Sequence, residues 1–182
     1  MDLVETLQNL LGQVPELLQP LIVALAGAIP FIEGEGGAAI GILGGLPPVV
    51  AAIAAMVGNF VTVAVLVLLS TGARNAVVSR RRAKVQAREA VLVGGSSGAA
   101  PAEPESERKA ARRAKFQRAY ERYGVPGVSM LGPLLLPTHF TATMLAASGV
   151  GKVRILIWQA IAIIAWTTLT ALIISGVLQA VR

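Results

Sequence analysis

Apolar and polar positions fall in long blocks along this chain rather than at the short periods of a soluble fold. Leu3, Leu7, Leu10, Leu11 and Val14 recur at helical spacing, with Asp2, Glu5, Gln8 and Asn9 between them. This pattern predicts a short amphipathic helix over 1–16 lying on a membrane surface and closed by Pro15. Leu17 to Ile32 is then apolar except for Gln19 and Pro20. At roughly 20 residues per spanning helix, it is too short to cross a bilayer comfortably. A second short run, Ala38 to Leu46, ends at Pro47-Pro48, and "EGEGG" (33–37) lies between the two runs. Two half-length pieces around a Gly-rich polar turn predict a re-entrant hairpin over 17–46, with one long kinked helix as the alternative. Non-helical backbone at that depth is tolerated only where protein or water covers it.

Val49 to Thr71 is the clearest span, 23 residues without a charge. Ala54, Gly58 and Thr62 recur every four positions, the small-residue pattern that lets membrane helices approach closely. Asn59 lies beside Gly58 and is a candidate for an interhelical hydrogen bond or a substrate path. The second half has the same layout. Gly124 to Leu136 is apolar, Pro137-Thr138-His139 interrupts, Phe140 to Val150 completes a second hairpin (124–150), and Ile155 to Val177 forms a span (155–177). Gln159, Trp166 and Thr170 on that span share a face predicted to pack inward, with Trp158 and Trp166 read as packing or interface residues. Pro30 to Gly72 covers 43 positions and Pro133 to Gly176 covers 44, so the units match in length although not in residue identity.

Composition and charge sharpen this picture. The chain has 182 residues, 54% of them hydrophobic, and a mean hydropathy of +0.68. Those values are too apolar for an ordinary soluble domain. Thirteen of the 16 basic residues lie in Arg74–Arg122, leaving Lys152, Arg154 and Arg182 elsewhere. The positive-inside rule reads 73–122 as a cytoplasmic loop and removes nucleic acid as the explanation of the charge. Within the loop, "GGSSGAAPAEPESE" has a disordered composition. "RKAARRAKFQRAYERY" resumes as a basic amphipathic helix, with Phe116, Tyr120 and Tyr123 on one side, suited to anionic headgroups. The first span then runs inward and the second outward, so the two units, 17–72 and 123–182, are inverted. The fold class expected is an all-α integral membrane protein of two inverted units, each a broken hairpin plus one transmembrane helix.

No cysteine is present and His139 is the only histidine. That excludes a disulfide framework, a thiolate metal site and an ordinary zinc cluster. No metal, cofactor or nucleophile–base set is expected, and the chain is not read as an enzyme. The N-terminus lacks the positive region of a secretory signal, and it is expected to remain in the mature protein.

Glu33, Glu35 and His139 are the ionisable groups at membrane depth. Such groups cost at least roughly 3 kcal/mol in hydrocarbon unless sheltered, which makes them functional candidates. On a helix Glu33 and Glu35 point to different faces; in an extended turn they face the same side. The functional reading makes at least one a proton-binding carboxylate, with His139 as partner or relay. The plainer reading leaves "EGEGG" as a hydrated loop among the headgroups. Asn59 and Gln159 are candidates for a polar path. Lys152 and Arg154 are the nearest basic groups for a phosphate-bearing substrate.

Two segments carry a family resemblance. "AIPFIEGEGGAAIGILGGLPPVVAAIAAMVGN" resembles the first signature of the small multidrug export proteins, bacterial membrane proteins related in architecture to the DedA/VTT group. Pro30, Glu33, Gly58 and Asn59 match its Pro, Glu and Gly-Asn positions. "RYGVPGVSMLGPLLLPTHFTATMLAASG" resembles the second signature, with its Tyr-Gly start and Pro-containing apolar turn. The resemblance covers most of 30–72 and 123–176 and departs at Glu35, where the family carries Arg, and at His139, in a small-residue turn. It implies a multi-pass protein of the bacterial inner membrane, and transport of a small amphipathic or lipophilic substrate coupled to protons. Its relatives imply a second substrate class, a lipid phosphate carrier that is flipped. A non-transporting membrane subunit is the remaining alternative. Two full spans enclose little volume, so a homo-oligomer is expected.

Overall fold

The computed structural model describes residues 3–91, 124–134 and 136–181. The rest of the 73–122 segment, from residue 92, lies outside the described residues, including its low-complexity stretch and its basic amphipathic helix. All regular structure among the described residues is helical: α1 (Leu3–Gln13), a 3-10 turn (Glu16–Leu18), α2 (Gln19–Ala28), α3 (Glu33–Leu43), α4 (Pro48–Val91), α5 (124–134), α6 (Thr138–Ser148) and α7 (Lys152–Val181).

Proline writes most of these boundaries. It has no N–H to lose in a first turn and its φ is already helical. Pro20 opens α2, Pro48 is the first residue of α4, and Pro126 lies in the first turn of α5. Pro137 stands at the N-cap of α6. Pro30 does the opposite and ends a helix, because a proline pushes the residue before it out of the helical region. Ile29 accordingly adopts φ −81° and ψ 126°.

α2 and α3 fold back on each other as an antiparallel hairpin, with Gly27 against Gly37 and Val23 against Gly41. One kinked helix through 17–46 is therefore not what forms. The break lies at 29–32 rather than in "EGEGG". Gly34, Gly36 and Gly37, expected to loosen the backbone, are helical, and Gly34 and Gly37 let other helices approach. A Cβ on Gly37 would stand 2.9 Å from the Gly27 nitrogen and 3.1 Å from Ala55 Cβ. On α4 the packed stripe is Ala51, Ala55, Gly58, Asn59 and Val63, all buried, whereas Ala54 and Thr62 are half-buried. Gly58 meets the backbone of Ala24.

α4 does not stop where its apolar stretch ends at Thr71 but continues to Val91. Residues 73–91 hold Ala, Arg, Lys, Gln and Val without Pro or Gly, so helix propensity persists after hydropathy falls. The first part of the expected loop is therefore helix. α1 is not a free surface helix. Leu7 and Leu11 are buried in the core formed with α2–α4, and Gln19 Nε2 donates to the Leu11 carbonyl at 3.1 Å.

Among the described residues, two helices are long and apolar enough to cross a membrane, Pro48–Arg80 and Lys152–Val181. Only 39% and 22% of their most apolar windows is buried, unlike the core helices of a soluble protein. Val49, Ile53, Val57, Val61, Val65 and Leu69 form an exposed apolar ridge along α4. Beside two apolar clusters, the interior holds polar side chains: Glu33, Asn59, Ser129, Thr138, His139, Thr141, Gln159 and Thr167 are buried. An exposed apolar ridge over an interior that includes polar groups is compatible with a helical membrane protein.

Gly58→Ala tests the seat of the hairpin on α4. Its Cβ would enter the Ala24 carbonyl, which is backbone and cannot swing away, so a loss of about 1–3 kcal/mol is expected. Gly72→Ala meets nothing within 4 Å and should be neutral or stabilising by up to about 1 kcal/mol. Thermal denaturation in detergent reads both; equal melting temperatures would contradict the close approach.

Candidate functional site

The break between α2 and α3 meets the break between α5 and α6. Glu33, the first residue of α3, is buried, as are Thr138 and His139, the first two residues of α6. Thr138 Oγ1 donates to Glu33 Oε2 at 2.8 Å. His139 Nδ1 lies 3.0 Å from Glu33 Oε1. Both carboxylate oxygens of one hairpin are thus held by side chains of the other, across more than a hundred residues of chain. The first turns of two helices converge on this carboxylate, and the positive ends of their dipoles stabilise negative charge there.

Backbone geometry places Glu33 for this contact. Phe31 and Glu33 have positive φ, 75° and 54°. Non-glycine residues held there cost about 1–3 kcal/mol each, and such strain clusters at functional sites. The two left-handed residues turn the chain between α2 and α3 within four positions. Phe31 then packs on Phe140 of α6, ring centroids 6.0 Å apart, directly beside the Glu33 contact.

The long helices set the level of the site. Gly34, next to Glu33, lies against Asn59 of α4 and Thr167 of α7. At helical rise, Asn59 is about 16 Å from the start of α4 and Thr167 about 22 Å from the start of α7. Both are near the middle of the apolar length of their helices. The same level divides two apolar clusters. Ala51 and Ala55 on α4 and Ala171 on α7 belong to one; Val63 and Val67 on α4 with Ile155 and Ile163 on α7 belong to the other. Asn59 and Thr167 stand at the boundary.

Asn59 Nδ2 and Oδ1, Thr167 Oγ1, His139 Nε2 and Gln159 Oε1 are buried without a hydrogen-bond partner among the described residues. Buried polar atoms are almost always met by protein, water or ligand, so these groups suit water or a small polar solute. Gln159 Nε2 reaches Ser129 Oγ at 3.5 Å, the limit of a hydrogen bond.

A cleft of about 460 Å³ opens beside Glu33, lined by Phe31, Ile32, Glu33, Glu35 and Gly36 of the first break, Pro133, Leu134, Leu136 and Pro137 of the second, and Trp166 of α7. Trp166 Nε1 donates to the Met130 carbonyl at 2.8 Å, which fixes that wall. A volume of this size is in the range of small-molecule sites.

Of the residues singled out from the sequence, Glu33 and His139 are in direct contact, and Asn59 lies against Gly34, the residue after Glu33. Glu35 is half-buried and lines the cleft, on a different face of α3 from Glu33 as helical geometry requires. Gln159 pairs with Ser129 instead. Lys152 and Arg154 stand exposed in the first turn of α7, about 20 Å along the helix from Thr167, and are not part of the site. Thr138, Thr141, Ser129 and Thr167 escaped sequence reasoning. Thr167 follows Gln159 and Ile163 at four-residue spacing, and that stripe, rather than Trp166 with Thr170, is the inward face.

Chemically, Glu33 Oε1 and His139 Nδ1 can share one proton. The bond persists whether the carboxyl or the ring nitrogen carries it. Thr138 and His139 both reach the carboxylate rather than each other, so the ring is not placed to activate the hydroxyl as a nucleophile would need. No group of three metal-binding side chains forms among the described residues. No protein-family model matches this chain, and neither curated proteins nor solved structures give a match.

Gly34→Ala would drive a Cβ into the Thr167 hydroxyl and should cost about 1–3 kcal/mol through overpacking. Adding Thr167→Ala removes the obstructing oxygen and should recover most of that loss. A double-mutant cycle on melting temperature checks this, and strict additivity would refute the contact.

Proposed function

We propose that this chain is a proton-coupled membrane transporter in which two re-entrant hairpins, inserted from opposite faces, meet at a proton-binding carboxylate, Glu33. The observation carrying this reading is the Glu33–Thr138–His139 cluster, buried at the start of two half-length helices and beside an open cleft. α2 and α3 are each about 15–16 Å long, half of a hydrocarbon core of about 30 Å. A hairpin of that length reaches only the midplane, the level that Asn59 and Thr167 also indicate. Broken helices whose ends meet at the midplane are how many secondary transporters build substrate and ion sites.

The chain order supports inverted units: short helix, short helix, long helix, twice. Each hairpin's second helix also packs on the other unit's long helix, α3 on α7 and α6 on α4. With the basic segment after α4 on the cytoplasmic side, α4 runs inward and α7 outward. The surrounding membrane is proposed to be the bacterial inner membrane, and the resemblance to small multidrug export proteins stands on the residues quoted for it. The exposed apolar faces of α4 and α7 leave room for a homo-oligomer. Transport of a lipid phosphate carrier is the less favoured reading, because the cleft lining has two carboxylates and no basic side chain. A purely structural subunit leaves the buried carboxylate and the strained turn at Glu33 without a purpose.

In the proposed cycle, a proton arrives at Glu33 from the cleft and replaces its charge. The hydrogen bonds from Thr138 and His139 weaken, and the hairpins part. Purified protein in liposomes with an imposed pH gradient tests this, with a lipophilic cation and a lipid phosphate offered in parallel. Glu33→Gln should reduce gradient-driven flux by tenfold or more, on the order of losing one obligatory proton site. His139→Ala should reduce it less. Equal flux with and without the Glu33 carboxylate would remove proton coupling.

A further inference from the structure

We propose that the cleft binds a monovalent lipophilic organic cation and that Glu35 is the carboxylate that recognises it, leaving Glu33 to the proton. This assignment rests on the transport reading and adds its substrate class. The two carboxylates differ in what surrounds them. Glu33 is 6% exposed, and both of its oxygens are engaged by Thr138 and His139. Glu35 is half-buried on the cleft wall, and no side chain among the described residues is hydrogen-bonded to it. A carboxylate already held by two partners is poorly placed to hold a third. One that faces a cleft with a backbone hydrogen bond and no side-chain partner among the described residues keeps acceptor capacity for a ligand.

The rest of the lining fits the same ligand. Phe31, Trp166, Leu134 and Leu136 surround the carboxylates with apolar and aromatic surface. Trp166 is held in place by the Met130 carbonyl, and Phe31, 75% exposed, rests on Phe140. Aromatic rings attract cations through their negative faces, most strongly where water is excluded. Apolar walls take the body of a lipophilic ion. An anion of the same shape would meet one or two carboxylates at short range and no compensating base, and like charges there are strongly disfavoured.

The test uses the full chain in detergent micelles, without a pH gradient. Tetraphenylphosphonium and tetraphenylborate have nearly the same shape and opposite charge. Saturable binding of each is measured above that of empty micelles by equilibrium dialysis. Tetraphenylphosphonium should bind, and tetraphenylborate should bind at least about tenfold more weakly or not at all. Glu35→Gln should weaken tetraphenylphosphonium by about tenfold or more while the melting temperature holds, and Glu35→Asp should stay within a few fold of the parent. Equal affinity for the two ions, or an unchanged affinity in Glu35→Gln, overturns the proposal. Charge-selective binding without proton-driven flux would support the cation site and remove the transport reading. Proton-driven flux without charge selectivity would remove the cation site alone.

Discussion

A carboxylate enclosed by protein must be held by donors, and this requirement organises the centre of the molecule. Glu33 cannot supply its own. The glycines that follow it have no side chains, and the first turn of α3 leaves its N–H groups directed along the helix. The donors come from the other half of the chain, Thr138 and His139, and they bring the start of α6 to the start of α3. Removing one member of such a buried set leaves an uncompensated charge, a loss of about 3–5 kcal/mol in comparable sites. The two left-handed residues at the bend cost energy that this contact, together with the Phe31–Phe140 packing, offsets.

The small residues make that meeting possible. Gly27, Gly37 and Ala55 press α2, α3 and α4 together closely enough that the hairpin is seated by backbone contact rather than by bulky side chains. Under the proposed membrane setting there is little hydrophobic gain from bringing two apolar helices together, so close packing and interior hydrogen bonds hold the bundle. Exposed Val, Ile and Leu on α4 and α7 face outward, and the polar layer of Asn59, Thr167, Gln159 and His139 lies inward. Stability and a hydratable interior are therefore obtained from different residues: glycine and alanine for the first, amides and hydroxyls for the second.

The all-helical class and the two long apolar helices were legible in the sequence, because hydropathy and proline act locally. Pro47-Pro48 and Pro137 marked breaks between helices, and the apolar lengths separated the short helices from the two long ones. That Pro20, Pro48 and Pro126 lie in first turns is seen only in the structure. The contact between Glu33 and His139 was foreseeable from two ionisable groups beside two breaks. The glycines were misleading. In "EGEGG" they were read as flexibility, whereas they serve close approach within a helix, and a single sequence does not distinguish these uses. The end of α4 was hidden for another reason, since hydropathy marks where the apolar stretch ends and not where the helix ends. Thr138 and Thr167 were invisible because a threonine in a membrane helix usually bonds its own backbone, as Thr62 does to Gly58. Only the facing partner shows that these two are different.

The strength of the central contact bears on how such a site could couple two solutes. A hydrogen bond to a charged group contributes about 1.5–3 kcal/mol and one between neutral groups about 0.5–1.5. Protonating Glu33 therefore weakens the two bonds from Thr138 and His139 by about 2–3 kcal/mol together. That shifts an equilibrium between closed and parted hairpins by about 30- to 150-fold. Moving a two-state protein from one side almost wholly to the other takes about 5.5 kcal/mol. The proton alone falls short of this, so under the proposed function it biases the hairpins without throwing them. A second ligand in the adjoining cleft must supply the remainder, and a cation paired with Glu35 would do so from the cleft wall. The shortfall is what coupling requires, because a contact that parted fully on protonation would leak protons with no substrate bound.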